Sequence, residues 1–136
     1  MIEKVIDSSV LTAYILKEHG WEELEKIVFQ RPYTLPLAFK ETLNAIWKRV
    51  RLLRDMDEAT AKSILEDLVE LSRTVLRIDR QEQYFPRALE ISVEHGIPIY
   101  DSLFIAQAEG REAQLVSRDH AQLEVARLVG VEVLLI

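Results

Sequence analysis

The chain has 136 residues, 49% of them hydrophobic and 29% charged, with 4 Gly, 4 Pro and a formal net charge of -6, a makeup that suits one compact domain and excludes a disordered tail. Zero cysteines exclude disulfides, thiolate zinc sites and a thiol nucleophile, so any metal must be held by oxygen or imidazole. The acidic balance argues against affinity for nucleic acid through bulk charge, although a cluster of acids that serves as cation ligands lowers the sum without forbidding a phosphate substrate.

Met1 to Lys4 offers no apolar h-region and no run has the length of a membrane span, so a cytoplasmic protein with no membrane attachment is expected. The first strand is Val5-Ile6, closed by Asp7 in VIDSSV, and helical patterns over Val10 to Leu16 and Trp21 to Phe29 follow it. A strand at Tyr33 to Leu35 leads into a helix at Leu37 to Leu53, with Pro36 suited to its first turn. Asp57 can cap a helix over Ala59 to Leu71, and a strand at Val75 to Ile78 comes next. Asp79 and Glu82 have capping-box spacing ahead of a helix at Gln83 to Val93, which Gly96 terminates. Asp101 opens a helix at Ser102 to Ala108, a strand spans Leu115 to Ser117, and a helix at Ala121 to Leu128 stops near Gly130 before a last strand at Val131 to Ile136. Strands separated by helices imply right-handed crossovers and a mostly parallel sheet covered on both faces. The expected fold is a single α/β domain over residues 1–136, with three layers and five strands.

In open parallel sheets, functional groups gather beyond the carboxyl ends of the strands, near a switch in strand order. Asp7 ends the first strand, Glu41 lies early in the helix after the second, Asp101 opens a helix in IPIYDSLFIAQA, and Asp119 follows the fourth strand in LVSRDHAQL. Four carboxylates on one edge repel one another unless something neutralises them. A divalent cation does that, and hard oxygen ligands favour Mg²⁺ or Mn²⁺ over zinc. Taken singly, Asp7, Asp101 and Asp119 also suit helix capping or the helix dipole.

On the third helix, Glu41, Asn44, Lys48 and Arg51 form a stripe three or four residues apart. Asn44 can orient Glu41, while Lys48 and Arg51 either track a phosphate backbone or belong to an ordinary solvated face. Phe39, Leu43, Ile46, Val50 and Leu53 make an apolar stripe there, and Leu37, Ala38, Ala45 and Leu52 flank the Glu41 side. A helix apolar on two sides, with Trp47 beside them, points to core packing or to a contact with a second copy or another partner. The three histidines lack metal-ligand spacing. His19 and His95 read as structural residues at helix ends, and His120 and Arg118 either touch a phosphate or merely follow the strand.

The succession VIDSSV, KETLNAIWK, IYDSLFIAQA and LVSRDHAQL resembles the PIN domain, and in particular the VapC-type toxins of prokaryotic toxin-antitoxin pairs. That resemblance spans nearly the whole chain and implies a five-stranded parallel sheet, an acidic cleft and a metal-dependent ribonuclease. Asp7, Glu41 and Asp101 match the core acidic positions of the family, and Asp119 the fourth; Ser9 and Ser117 match positions that often carry a small hydroxyl. It further implies endonucleolytic cut of RNA leaving a 5′-phosphate and a 3′-hydroxyl, a homodimer, and inhibition by a VapB-type antitoxin that also binds operator DNA. Asp55 to Arg80 is the variable part of the family pattern.

Two rivals remain. An Asp-nucleophile phosphotransferase also places Asp after a leading strand, but the dehalogenase type needs a second Asp where this chain has Ser9, and no Gly-rich loop suggests a nucleotide cofactor. The other is a catalytically silent PIN-like domain that binds RNA or protein.

Overall fold

In the computed structural model, which describes residues 2–136, the chain runs β1 (Lys4–Ile6), α1 (Ser8–Ile15), α2 (Trp21–Val28), β2 (Tyr33–Thr34), α3 (Pro36–Arg51), α4 (Glu58–Thr74) and β3 (Arg77–Ile78). A 3-10 turn (Gln81–Tyr84) precedes α5 (Phe85–His95), and α6 (Ile99–Arg111), β4 (Gln114–Ser117), α7 (His120–Leu128) and β5 (Val133–Leu135) complete it. The strands form one parallel sheet in the order β3-β2-β1-β4-β5. Val5 stands opposite Tyr33 on one side and Leu115 on the other, and Leu115 opposite Val133.

The sequence of the central strands follows from this arrangement. Val5, Ile6, Leu115 and Val116 are fully buried, because helices cover both faces and leave no polar side to alternate with. Helices α1 to α4 pack among themselves, as do α5 to α7; right-handed crossovers place the first group on one face and the second on the other. Chain direction across the sheet therefore reverses between β1 and β4. At such a switch point the connections after neighbouring strands part to opposite faces and open a crevice at the strands' carboxyl ends.

Caps mark most element starts. Pro36 occupies the first turn of α3, and the Asp57 side chain accepts from the Thr60 amide at 2.7 Å. Gly96 ends α5 in the left-handed region, φ 69°, where a Cβ is disfavoured. Helix α4 runs on to Thr74, which shortens the expected strand at Val75 to Ile78 to Arg77–Ile78. Helix α6 begins at Ile99 behind Pro98 and continues to Arg111, longer at both ends than expected. The last strand contracts to Val133–Leu135.

The capping box expected of Asp79 and Glu82 does not form. Arg80 stands at that N-cap position without a side-chain cap, and Asp79 turns inward. Its carboxylate accepts from Tyr84 Oη (2.8 Å), Gln107 Nε2 (3.0 Å) and both arms of Arg111. A buried carboxylate gains more from a guanidinium and two further donors than from two orphan amides of a 3-10 turn. No helix among the described residues is long and apolar enough to cross a membrane.

Candidate functional site

The residue that follows β1 and the residue that ends β4 meet at the switch point. Asp7, 4% exposed, follows β1 and accepts from Ser9 Oγ at 2.7 Å and Ser117 Oγ at 2.6 Å, one hydroxyl on each carboxylate oxygen. It also caps α1 through the Val10 amide at 3.1 Å. Ser117 ends β4, so its bond to Asp7 spans the switch point. Burial pushes the Asp7 carboxyl above the ordinary range, against the lowering by Ser117, Ser9 and the Val10 amide; Asp119 adds repulsion.

Asp119 caps α7 by accepting from the Gln122 amide at 3.2 Å, and its own amide donates to Ser117 Oγ at 2.9 Å. Asp101 lies in the first turn of α6, half-buried. Burial first, then the charges of Asp119, Asp7 and Glu41, push it up to about 6. The charges of three acids from different elements thus reach Asp101.

Glu41, on the exposed side of α3, accepts from Ser8 Oγ at 2.6 Å. Ser8 therefore orients it, in the role expected of Asn44, which is exposed one turn on and bonds to nothing among the described residues. Lys48 and Arg51 are exposed on the same helix and reach none of the four acids in a salt bridge. Arg118 is held away from the crevice, its guanidinium donating to the His19 carbonyl at 3.3 Å and facing Glu18 at 3.7 Å. His120 is the exposed first residue of α7.

Gln122 is a member that sequence reasoning passed over. It is 1% exposed, accepts from Ser117 Oγ at 2.9 Å and donates to the Asp101 carbonyl at 3.0 Å, tying β4 to the start of α6. Ser117 has one proton and two waiting acceptors, Asp7 and Gln122. The available signal was an amide on the buried side of α7, three residues past Asp119 in RDHAQL. Ser8 had a weaker one, since a serine beside Asp7 reads equally well as helix start.

The fit of this set to a divalent cation can be judged from its chemistry. All donors are oxygens, and among the described residues no Lys or Arg forms a salt bridge with Asp7, Glu41, Asp101 or Asp119. That charge balance suits Mg²⁺ or Mn²⁺. As placed, no three acidic or imidazole side chains among the described residues form a group that could hold a metal ion.

Comparison with known proteins shows the family and the fold. The family model described as PIN domain matches residues 4–128. A protein named Ribonuclease VapC3 from Pyrobaculum aerophilum is 32% identical over 124 residues, covering 88% of this chain and 92% of its own. Exonuclease VapC9 from the same organism is 28% identical over 137 residues, covering 99% and 95%. Among solved structures, VapBC2 from Rickettsia felis bound to a promoter DNA fragment superposes with a TM-score of 0.68 at 12% identity, covering 99% of both chains.

Proposed function

The chain belongs to the PIN domain family, and on that premise we propose that it is a metal-dependent ribonuclease, the toxin partner of a VapBC-type pair. The observation that carries the reading is the placement of Asp101 among three further carboxylates, Asp7 after β1, Glu41 on α3 and Asp119 at the β4–α7 junction, whose charges add to burial in pushing it up to about 6, with no protein cation paired to any of the four among the described residues. Such a set is stable at neutral pH when a cation completes it.

The residues divide the work by how firmly each is held. Ser9, Ser117 and the Val10 amide fix Asp7 from three directions, which sets the orientation of the ligand nearest the sheet. Asp119 gives Oδ1 to its cap. Glu41 is steered by Ser8 alone, and Asp101 is fixed through its backbone by Gln122. Bound among them, Mg²⁺ or Mn²⁺ supplies neutralisation of the four acids and Lewis acidity toward a phosphodiester. In this reading one water is consumed: its oxygen bonds to phosphorus as the P–O3′ bond breaks and the leaving O3′ takes up a proton, giving a 5′-phosphate and a 3′-hydroxyl, and the cut is internal; one relative is named an exonuclease, so a circular RNA distinguishes the modes.

The relatives named VapC and the neighbour solved as a VapBC complex support a VapB-type antitoxin as partner. The same reading includes a cytoplasmic homodimer, for which Leu43 (43% exposed) and Trp47 (51% exposed) on α3 offer unpartnered apolar contact. Sedimentation that finds only monomer removes the dimer.

A silent binding domain is the competing reading, favoured by the open spacing of the acids. Purified protein incubated with RNA in Mg²⁺, Mn²⁺ or EDTA decides. Cleavage that needs the cation and fails in Asp7→Asn supports the nuclease; RNA left intact under every condition, or cut equally in EDTA, overturns it.

A further inference from the structure

Two of the acidic positions have sequence neighbours of a different character. Lys40 precedes Glu41, and Tyr100 precedes Asp101. Both neighbours line one groove of about 480 Å³ between α3, the 3-10 turn and the starts of α5 and α6. Its floor is apolar, made by Leu37, Ile99 and Leu103. Two aromatic rings border it, Tyr100 at 58% exposed and Phe85 at 46%. Lys40 is its one charged lining residue, and Gln81 brings an amide.

We propose that this groove seats a nucleobase of single-stranded RNA beside the phosphate held at the acidic edge. Every base has a π-face, and unstacked bases are taken up on exposed aromatic rings. Tyr100 and Phe85 supply those rings, Lys40 meets a flanking phosphate, and the Gln81 amide meets a base edge. The sign of the lining charge selects the occupant. A second aromatic groove, bordered by Tyr14 and Trp21, carries Glu25, Asp67 and Glu70 against Lys17 alone and would repel a polyanion. The Lys40 groove has no acid in its lining. Lys40 and Tyr100 directly precede Glu41 and Asp101 in the chain, so a base seated there and a phosphate at the acids would belong to neighbouring parts of one strand. The placement of that phosphate rests on the nuclease reading; the stacking does not.

The test is fluorescence anisotropy of the full chain with a labelled single-stranded oligouridylate, intact or carrying one run of abasic positions, in Ca²⁺. Wild type is expected to bind the intact strand more tightly. Tyr100→Ala and Phe85→Ala are each expected to weaken it about tenfold, while Tyr100→Phe, which keeps the ring, binds like wild type. Equal affinity of wild type for intact and abasic strands overturns the proposal, and that arm needs no variant to fold. Alanine variants that bind as wild type overturn it too, as does a loss of binding accompanied by halved sedimentation mass, which assigns the groove to a second copy of the chain. Base-dependent binding without cleavage in Mg²⁺ or Mn²⁺ overturns the nuclease reading and leaves the groove standing; cation-dependent cleavage without base-dependent binding does the reverse.

Discussion

Asp7 follows β1 and Asp79 follows β3, and both are nearly sealed from solvent, at 4% and 8% exposed. Around Asp79, burial raises the carboxyl, but hydrogen bonds from Arg111, Gln107 and Tyr84 and the charge of Arg111 outweigh it, and the group ends below the ordinary range. Around Asp7 burial wins. Its hydrogen-bond donors are two serine hydroxyls and an amide, and the charge that acts on it is the like-signed Asp119. One aspartate has been neutralised within the chain, and the other has been left with donors that orient without discharging it. The difference teaches where to look for function: a buried acid with its own arginine holds the fold together, and a buried acid without one waits for something from outside.

Crossed substitutions break this comparison most sharply. Asp7→Asn is expected to lower RNA cleavage by about 10³-fold, the scale of several kcal/mol of lost charge stabilisation, with melting temperature held or raised. Asp79→Asn is expected to do the opposite, unfolding more readily while the folded fraction cuts RNA as wild type. A cleavage assay normalised to folded protein by circular dichroism separates them. Arg111→Ala strands Asp79 without its cation; since the Arg111 side chain is 37% exposed, the loss is discounted to about 2 kcal/mol of stability, measurable by urea denaturation. Ser117→Ala removes one donor from Asp7 and is expected to lower activity roughly 10- to 100-fold, with the profile of rate against pH displaced upward.

The smallest effect concerns pH. Asp101 is raised above its ordinary value to about 6, so the protonated form is favoured by folding. Its destabilisation is absent below the unfolded value, grows as pH rises, and is complete above about 6. Metal-free Asp101→Asn should therefore be more stable than wild type at neutral pH by roughly 1 kcal/mol, after discount for a half-exposed group, and equal to it near pH 4. Marked destabilisation of that variant instead would show that Asp101 serves α6 as a first-turn acid.

Much of this contrast was legible in the residues alone, and the rest was hidden for identifiable reasons. Asp7 and Asp119 stand where an apolar run gives way to a helix, so their place at the sheet edge followed from strand periodicity. The parallel sheet followed from the alternation of strand and helix patterns along the chain. Asp79 was misread because capping-box spacing is local, whereas its real partners, Gln107 and Arg111, come from α6 and are invisible to any short window. Gln122 was missed for the same reason: its two bonds reach β4 and α6. Helix α6 was cut short at both ends because only Ser102 to Ala108 is buried throughout, while its end turns, Ile99 to Asp101 and Glu109 to Arg111, are exposed or half-exposed and carry no apolar stripe.

The proposed function stands on the proposal that Asp7, Glu41, Asp101 and Asp119 together take up a divalent cation. Thermal melting of metal-free wild type and Asp7→Asn, with and without Mn²⁺, tests it most directly, because a ligand that binds only the folded state raises its melting temperature. The account predicts a concentration-dependent rise for wild type that Asp7→Asn largely loses; an unchanged wild-type melting temperature at millimolar Mn²⁺, or an equal rise in both proteins, would contradict it.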